Sequence, residues 1–271
     1  MFRNLSDTAR LTAVYRACET ERADPLFQDP LAHRLAGTLG REFADEMSAA
    51  TRYSWVIVVR TLLFDRLILA QIDRGVDTVI NLAAGFDTRP YRLPLPASLR
   101  WVEVDLPEIL AEKTALLDGE RPACELSHVA LDLSDRAARR PVLEGLCGQA
   151  RAALVITEGL LIYLAPADVA TLSADIAALP SVGQWMIDLQ SPNLLRLAQR
   201  AVGRRFEDGA APLAFAPADG AAFFQAQGWY AIEDRSITEA AAALGRLPSW
   251  SPLSTTRTTS IDGRVCVLAR A

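Results

Sequence analysis

Four successive apolar runs in this chain end in polar groups whose types suit the binding of a nucleoside. The first, Asp77-Thr-Val-Ile-Asn-Leu-Ala-Ala-Gly-Phe-Asp-Thr88, runs from a strand-like segment into Gly85, a residue that lets backbone approach a ligand closely. Asp87 or Thr88 can cap the helical turn that follows. The second, Trp101-Val-Glu-Val-Asp105, ends twenty residues after Gly85. A carboxylate at that spacing and at a strand end suits a ribose, one oxygen for each hydroxyl. Asp105 can equally cap a helix opening at Pro107. The third, Ala130-Leu-Asp-Leu133, offers Asp132 to an adenine amino group with Leu133 beside the ring, or to a helix N-terminus. The fourth places Glu158 after Ala153-Leu-Val-Ile-Thr157. Open α/β sheets bind ligands at such strand ends. The G-x-G-x-x-G pattern that cradles a pyrophosphate is absent, leaving only Gly85.

Arg60 adds a cation to this set. On a helix it shares a stripe with Val56, Ile57, Leu63, Phe64, Leu67 and Ile68. A guanidinium in an apolar stripe is costly unless paired. Its partner is either an internal acid or the carboxylate of a ligand, which arginine grips bidentately.

The elements that must position these groups follow from periodicity. Strands are expected at Thr78–Leu82, Arg100–Asp105, Ser127–Leu131, Ala153–Thr157 and Trp185–Leu189, with late strands near Trp229–Asp234 and Val265–Ala269. Helices are expected at Pro107–Leu117, Asp135–Leu146, Pro166–Leu179, Pro192–Val202 and Ala218–Gln227. This alternation predicts an α/β fold: a doubly wound, mostly parallel seven-stranded Rossmann-like sheet. The last strand is expected to close the sheet in antiparallel sense. Residues 1–75 read as an N-terminal helical cap and 76–271 as the core of one integrated domain.

Composition narrows the function. A net charge of −5 with dispersed arginines gives no nucleic-acid footprint. The run Tyr53–Ala70 is broken by Arg60, Asp65 and Arg66, so no membrane span is expected. The N-terminus lacks the apolar core of a secretory signal. Cys18, Cys124, Cys147 and Cys266 form no C-x-x-C pair, and the two histidines, His33 and His128, are far apart. No metal site is expected, and free thiols fit a cytoplasmic protein. Oligomeric state is not readable from these features.

With these residues the chain resembles the leucine carboxyl methyltransferase family, which includes tetracenomycin-type polyketide O-methyltransferases. The matching stretches are Val79-Ile-Asn-Leu-Ala-Ala-Gly-Phe-Asp-Thr-Arg-Pro-Tyr-Arg-Leu93, Val102-Glu-Val-Asp-Leu-Pro107 and Thr157-Glu-Gly-Leu-Leu-Ile-Tyr-Leu164. Upstream, Arg16-Ala-Cys-Glu19, Asp29-Pro-Leu-Ala32, Arg60-Thr61 and Asp65 also fit. The likeness spans about Thr8 to Leu164 and implies S-adenosylmethionine (SAM) as cofactor, with S-adenosylhomocysteine (SAH) as product. It further implies that Arg60 holds the SAM carboxylate, Gly85 lines the methionine portion and Asp105 binds the ribose. Asp132 and Leu133 would hold the adenine, and Glu158 would face the SAM amine. One departure stands out: Ala83 occupies the place of the first glycine in the family's Leu-Gly-Ala-Gly.

Methyl transfer from a sulfonium needs mainly positioning and exclusion of water. The implied activity is therefore SAM-dependent O-methylation of a carboxylate on a small molecule, such as a polyketide-type secondary metabolite, or on a peptide. A phenolic hydroxyl is the alternative acceptor. Glu158 is a candidate catalytic base as well as a cofactor ligand. Tyr163 can orient the acceptor or pack structurally, and Arg16 is the candidate cation for an acceptor carboxylate. A nicotinamide-dependent oxidoreductase would need a full glycine fingerprint and a Tyr-x-x-x-Lys pair; the sole lysine, Lys113, is in no such pair. A non-catalytic SAM-binding protein of the same fold is the remaining rival.

Overall fold

The computed structural model of the chain describes residues 5–37, 54–202, 213–248 and 261–270. Seven strands form one sheet in the order β3-β2-β1-β4-β5-β7-β6. They are β1 (Thr78–Leu82), β2 (Arg100–Asp105), β3 (Glu125–Ala130), β4 (Ala153–Thr157), β5 (Val182–Gln190), β6 (Trp229–Ser236) and β7 (Gly263–Arg270). β1 to β5 run parallel, while β7 lies antiparallel to both β5 and β6. β1 and β4 are buried at every residue, as strands covered on both faces must be. The strand order reverses between them, and the crevice outside the carboxyl ends of such strands is where this architecture takes ligands.

Alternation sends neighbouring residues to opposite faces. Ile80, Val102 and Val155 face one core, together with Leu143, Leu172 and Trp185. Val79, Trp101 and Leu154 face the other, packed by Val59, Leu63, Phe64 and Ile68. These last four belong to the long helix Ser54–Asp73, which is therefore a layer of the sheet. Of the residues 1–75 read as a cap, those described before this helix are α1 (Leu5–Thr20), the segment after it and a short helix, α2, over 32–37. The helix Ser54–Asp73 is α3. Ala13, Val14, Leu35 and Ala36 of the cap pack against Phe86, Ile109 and Leu117, which places the cap over the loop after β1.

Most expected strands fall within two or three residues of their places. β7 does not close the sheet at an edge; it sits inside, between β5 and β6. Its burial, complete from Val265 to Leu268, suits that interior position. The expected helix at Ala218–Gln227 is a 3-10 helix over Gly220–Gln227, stopped by Gly228 in the left-handed conformation. The edge strand β6 is interrupted by an irregularity between Ala231 and Glu233, a device that discourages pairing with another strand.

Candidate cofactor site

The loop after β1 is built from backbone held in unusual conformations. The amides of Ala83 and Ala84 both donate to the Val104 carbonyl, at 2.8 and 3.3 Å. Two successive N–H groups converging on one oxygen force the chain to curl, and Ala83 takes a φ of +56°. Gly85 follows at +50°, with α1 directly above it: a Cβ on Gly85 would lie 3.5 Å from that of Ala9.

Asp105 ties this loop to β2. Its Oδ2 accepts from the Gly85 N–H at 2.6 Å and its Oδ1 from the Leu106 N–H at 2.8 Å. It is not a helix cap; Leu106 is the cap residue of the helix Pro107–Leu116, which has no side-chain cap. Burial raises the Asp105 carboxyl above its ordinary range despite these two bonds. Each oxygen keeps a lone pair, which is what two ribose hydroxyls require. Asp132 is exposed and accepts from the Ser134 N–H at 2.9 Å. A hydrogen bond from the Ser134 side chain, with that backbone bond, lowers its carboxyl below the ordinary range. The helix cap there is Asp135, bonded to the amides of Ala137 and Ala138, so Asp132 is left at the rim with the half-buried Leu133.

Arg60, on α3, meets internal acids. Its Nε donates to Glu158 at 3.0 Å and its Nη1 to Asp188 at 3.0 Å. Among the described residues nothing accepts from Nη2, which leaves donors for a ligand carboxylate. Glu158 is bound on its other oxygen by Arg89 Nη1 at 2.8 Å. Arg89 also reaches Asp65 and Asp87, and Arg92 reaches Asp65. Asp87, half-buried, accepts from Asn81 and from the Arg89 amide. Burial alone would raise its carboxyl; Arg89 and, with smaller effect, Lys113 and Arg92 bring it down to about 2. Gly159 packs under Arg60 with a φ of +70°, so a side chain there would press on the guanidinium.

Arg16 is held by contacts within the protein. It is buried, with Nε on Asp29 at 2.8 Å and Nη2 on the Phe86 carbonyl at 2.7 Å. Thr88 donates to the same Asp29 oxygen at 2.6 Å rather than capping its own helix. Arg16 and Asp29 thus clamp the cap to the loop after β1. Tyr163, in the 3-10 turn Leu161–Tyr163, bonds through its hydroxyl to Thr8 of α1, and burial raises its titration.

Sequence reasoning missed Asp188, Arg89 and Asp29. Asp188 had a signal: it is the lone acid in the apolar run Trp185-Met-Ile-Asp-Leu189. Arg89 and Asp29 lie inside stretches that were noted, but nothing in their spacing shows what they pair with. Among the described residues no group of three His, Cys, Asp or Glu is placed to hold a metal ion, and no helix is long and apolar enough to cross a membrane.

Known proteins resemble this chain in sequence and in fold. The chain is 36% identical over 261 residues to a Frankia alni protein described as a SAM-dependent methyltransferase, covering 88% of this chain and 87% of that one. A Streptomyces avermitilis protein of the same description is 35% identical over 262 residues, covering 90% and 89%. Among solved structures, a DUF574 family protein from Streptomyces avermitilis superposes with a TM-score of 0.58 at 14% identity, covering 97% of each chain, a likeness of fold. The leucine carboxyl methyltransferase profile matches residues 9–177, and the chain belongs to that family of SAM-dependent methyltransferases.

Proposed function

We propose that the chain is a SAM-dependent O-methyltransferase whose acceptor is a carboxylate on a small molecule or peptide. When bound, SAM supplies a methyl group already activated by its sulfonium sulfur. Arg60 would take the cofactor carboxylate, Asp105 the ribose and Asp132 with Leu133 the adenine. Glu158, held between Arg60 and Arg89, would face the amine.

The observation that carries the carboxylate reading is the lack of an unengaged base at the rim among the described residues. A carboxylate acceptor is ionised at neutral pH and needs no base, whereas a phenol, with pKa about 10, benefits from one. His33 is on the cap, bonded to Glu21. His128 is on the edge strand β3, 3.3 Å from Glu103. Both Glu158 oxygens are taken by guanidinium donors, and Tyr163 is kept protonated by burial. One observation favours the phenolic alternative: Arg16 is committed to Asp29 and Phe86, so the proposed cation for an acceptor carboxylate is already engaged. The buried thiols of Cys124, Cys147 and Cys266, none of them in a disulfide, fit a cytoplasmic setting.

The test is transfer of labelled methyl from SAM to a panel of aromatic acids, phenols and peptides. A product that releases methanol in mild alkali is an ester and supports the proposal. A base-stable product formed on phenols would replace it with the alternative, and tight SAM binding without transfer to any acceptor would favour a binding protein.

A further inference from the structure

The ion pairs at the rim join into one network. Arg16, Arg60, Arg89 and Arg92 supply four cations; Asp29, Asp65, Asp87, Glu158 and Asp188 supply five carboxylates. Counted over the described residues, the network therefore carries one negative charge in excess, at a place largely screened from water. The acids are not equally compensated. Asp65 and Glu158 each face two guanidiniums. Asp87 has Arg89 and the Asn81 amide, and Asp29 has Arg16 and the Thr88 hydroxyl. Among the described residues Asp188 has a single charged partner, Arg60, which it shares with Glu158; its other bond is to the Gly159 N–H at 2.7 Å. Burial and the nearby Glu158 hold its carboxyl above the ordinary range.

We infer that Asp188 is a specificity-determining residue that makes the site net anionic, so that a cationic nucleoside amino acid is held in preference to its neutral counterpart. This rests on the SAM-binding reading above. A sulfonium or ammonium at the centre of the ligand adds one positive charge to an otherwise zwitterionic molecule. The donor then matches the excess charge, and the product, having lost the methyl and with it the sulfonium charge, does not. Unlike charges a few ångström apart in a partly buried site interact strongly enough to change affinity by about tenfold or more. The amino-acid tail is common to donor and product, so the preference is attributable to the central charge.

Calorimetry on the full chain tests this with two stable probes: SAH, neutral at its centre, and sinefungin, in which a carbon bearing an ammonium replaces the sulfur bearing the methyl. The wild type is expected to bind sinefungin about tenfold or more tighter than SAH. Asp188→Asn is expected to lower that ratio to within about threefold of unity. Because asparagine presents an N–H2 towards Arg60, the double variant Arg60→Gln with Asp188→Asn is a second measurement. It returns the network to one excess negative charge, three carboxylates against two cations once the Arg16–Asp29 pair is set aside. The preference for sinefungin should return while both affinities fall. A parallel loss of both ligands in Asp188→Asn with the ratio unchanged would overturn the inference, as would a double variant that stays indiscriminate. Failure of the wild type to bind either probe would instead overturn the SAM-binding reading itself.

Discussion

Replacing Ala83 by glycine should stabilise the protein. Ala83 is the only non-glycine with positive φ among the described residues, at +56°. The conformation is imposed by the Val104 carbonyl, which takes both the Ala83 and Ala84 amides. An L-residue in that region pays about 1–2 kcal/mol for the approach of Cβ to the following carbonyl. Glycine removes that strain but gives the unfolded chain more freedom, at a cost of about 0.5–1 kcal/mol. The methyl is only half-buried, so little packing is lost. The net gain should be about 0.5–1 kcal/mol, a rise in Tm of about 1–4 °C for a chain of this size. Ala84→Gly is the control: that alanine is 7% exposed and has an ordinary φ, so its replacement should cost about 1 kcal/mol. Urea unfolding of the three proteins measures both. A lower midpoint for Ala83→Gly than for wild type, or equal losses in the two variants, would refute the argument that backbone strain resides at Ala83.

Arg16→Ala should cost about 3 kcal/mol or more, because it leaves Asp29 buried and under-compensated; thermal melts read the loss, and SAH titration should show weaker binding through the loosened Phe86 loop. Lys113 and Glu103 form a buried pair with both carboxylate oxygens at 2.7 Å, so Lys113→Met alone should destabilise by about 3–5 kcal/mol. Adding Glu103→Leu should recover most of that loss in a double-mutant cycle. Asp87 titrates at about 2 in the fold against an ordinary 3.8. Its stabilising contribution is complete above pH 4 or so and is lost as pH falls through about 2. Acid titration of stability should therefore be steeper for wild type than for Asp87→Asn across that window. Asp105→Asn should weaken SAH binding by about 10–100-fold while circular dichroism stays native; unchanged affinity in a folded variant would remove the ribose assignment.

Local signals carried much of this protein. Apolar runs of strand length, punctuated by glycine and acids, were enough to place β1, β2 and β4 residue for residue, because strands buried on both faces are mostly apolar; the buried Asn81 and Glu103 are partnered by Asp87 and Lys113. The same punctuation marked Gly85, Asp105, Asp132 and Glu158 as strand-end groups, since a parallel sheet presents all its carboxyl ends on one side. β3 was less legible: it is an edge strand whose residues are mostly exposed, so its pattern is weak. What periodicity could not supply was pairing between residues distant in the chain. Arg60 lies 98 and 128 residues from Glu158 and Asp188, and the choice between an internal acid and a ligand was open until the fold brought them together. Arg16 was legible as a candidate cation for an acceptor, but only packing of the cap over Phe86 shows it as a buried clamp. The helix Ser54–Asp73 was recognised as a helix and read as part of the cap, because a helix apolar on most sides does not show which neighbour each face meets; its residues pack on the sheet. Sequence determines which groups can do chemistry and at which strand ends they stand; the tertiary structure decides which charges meet, because ion pairing depends on distances that only the folded chain sets.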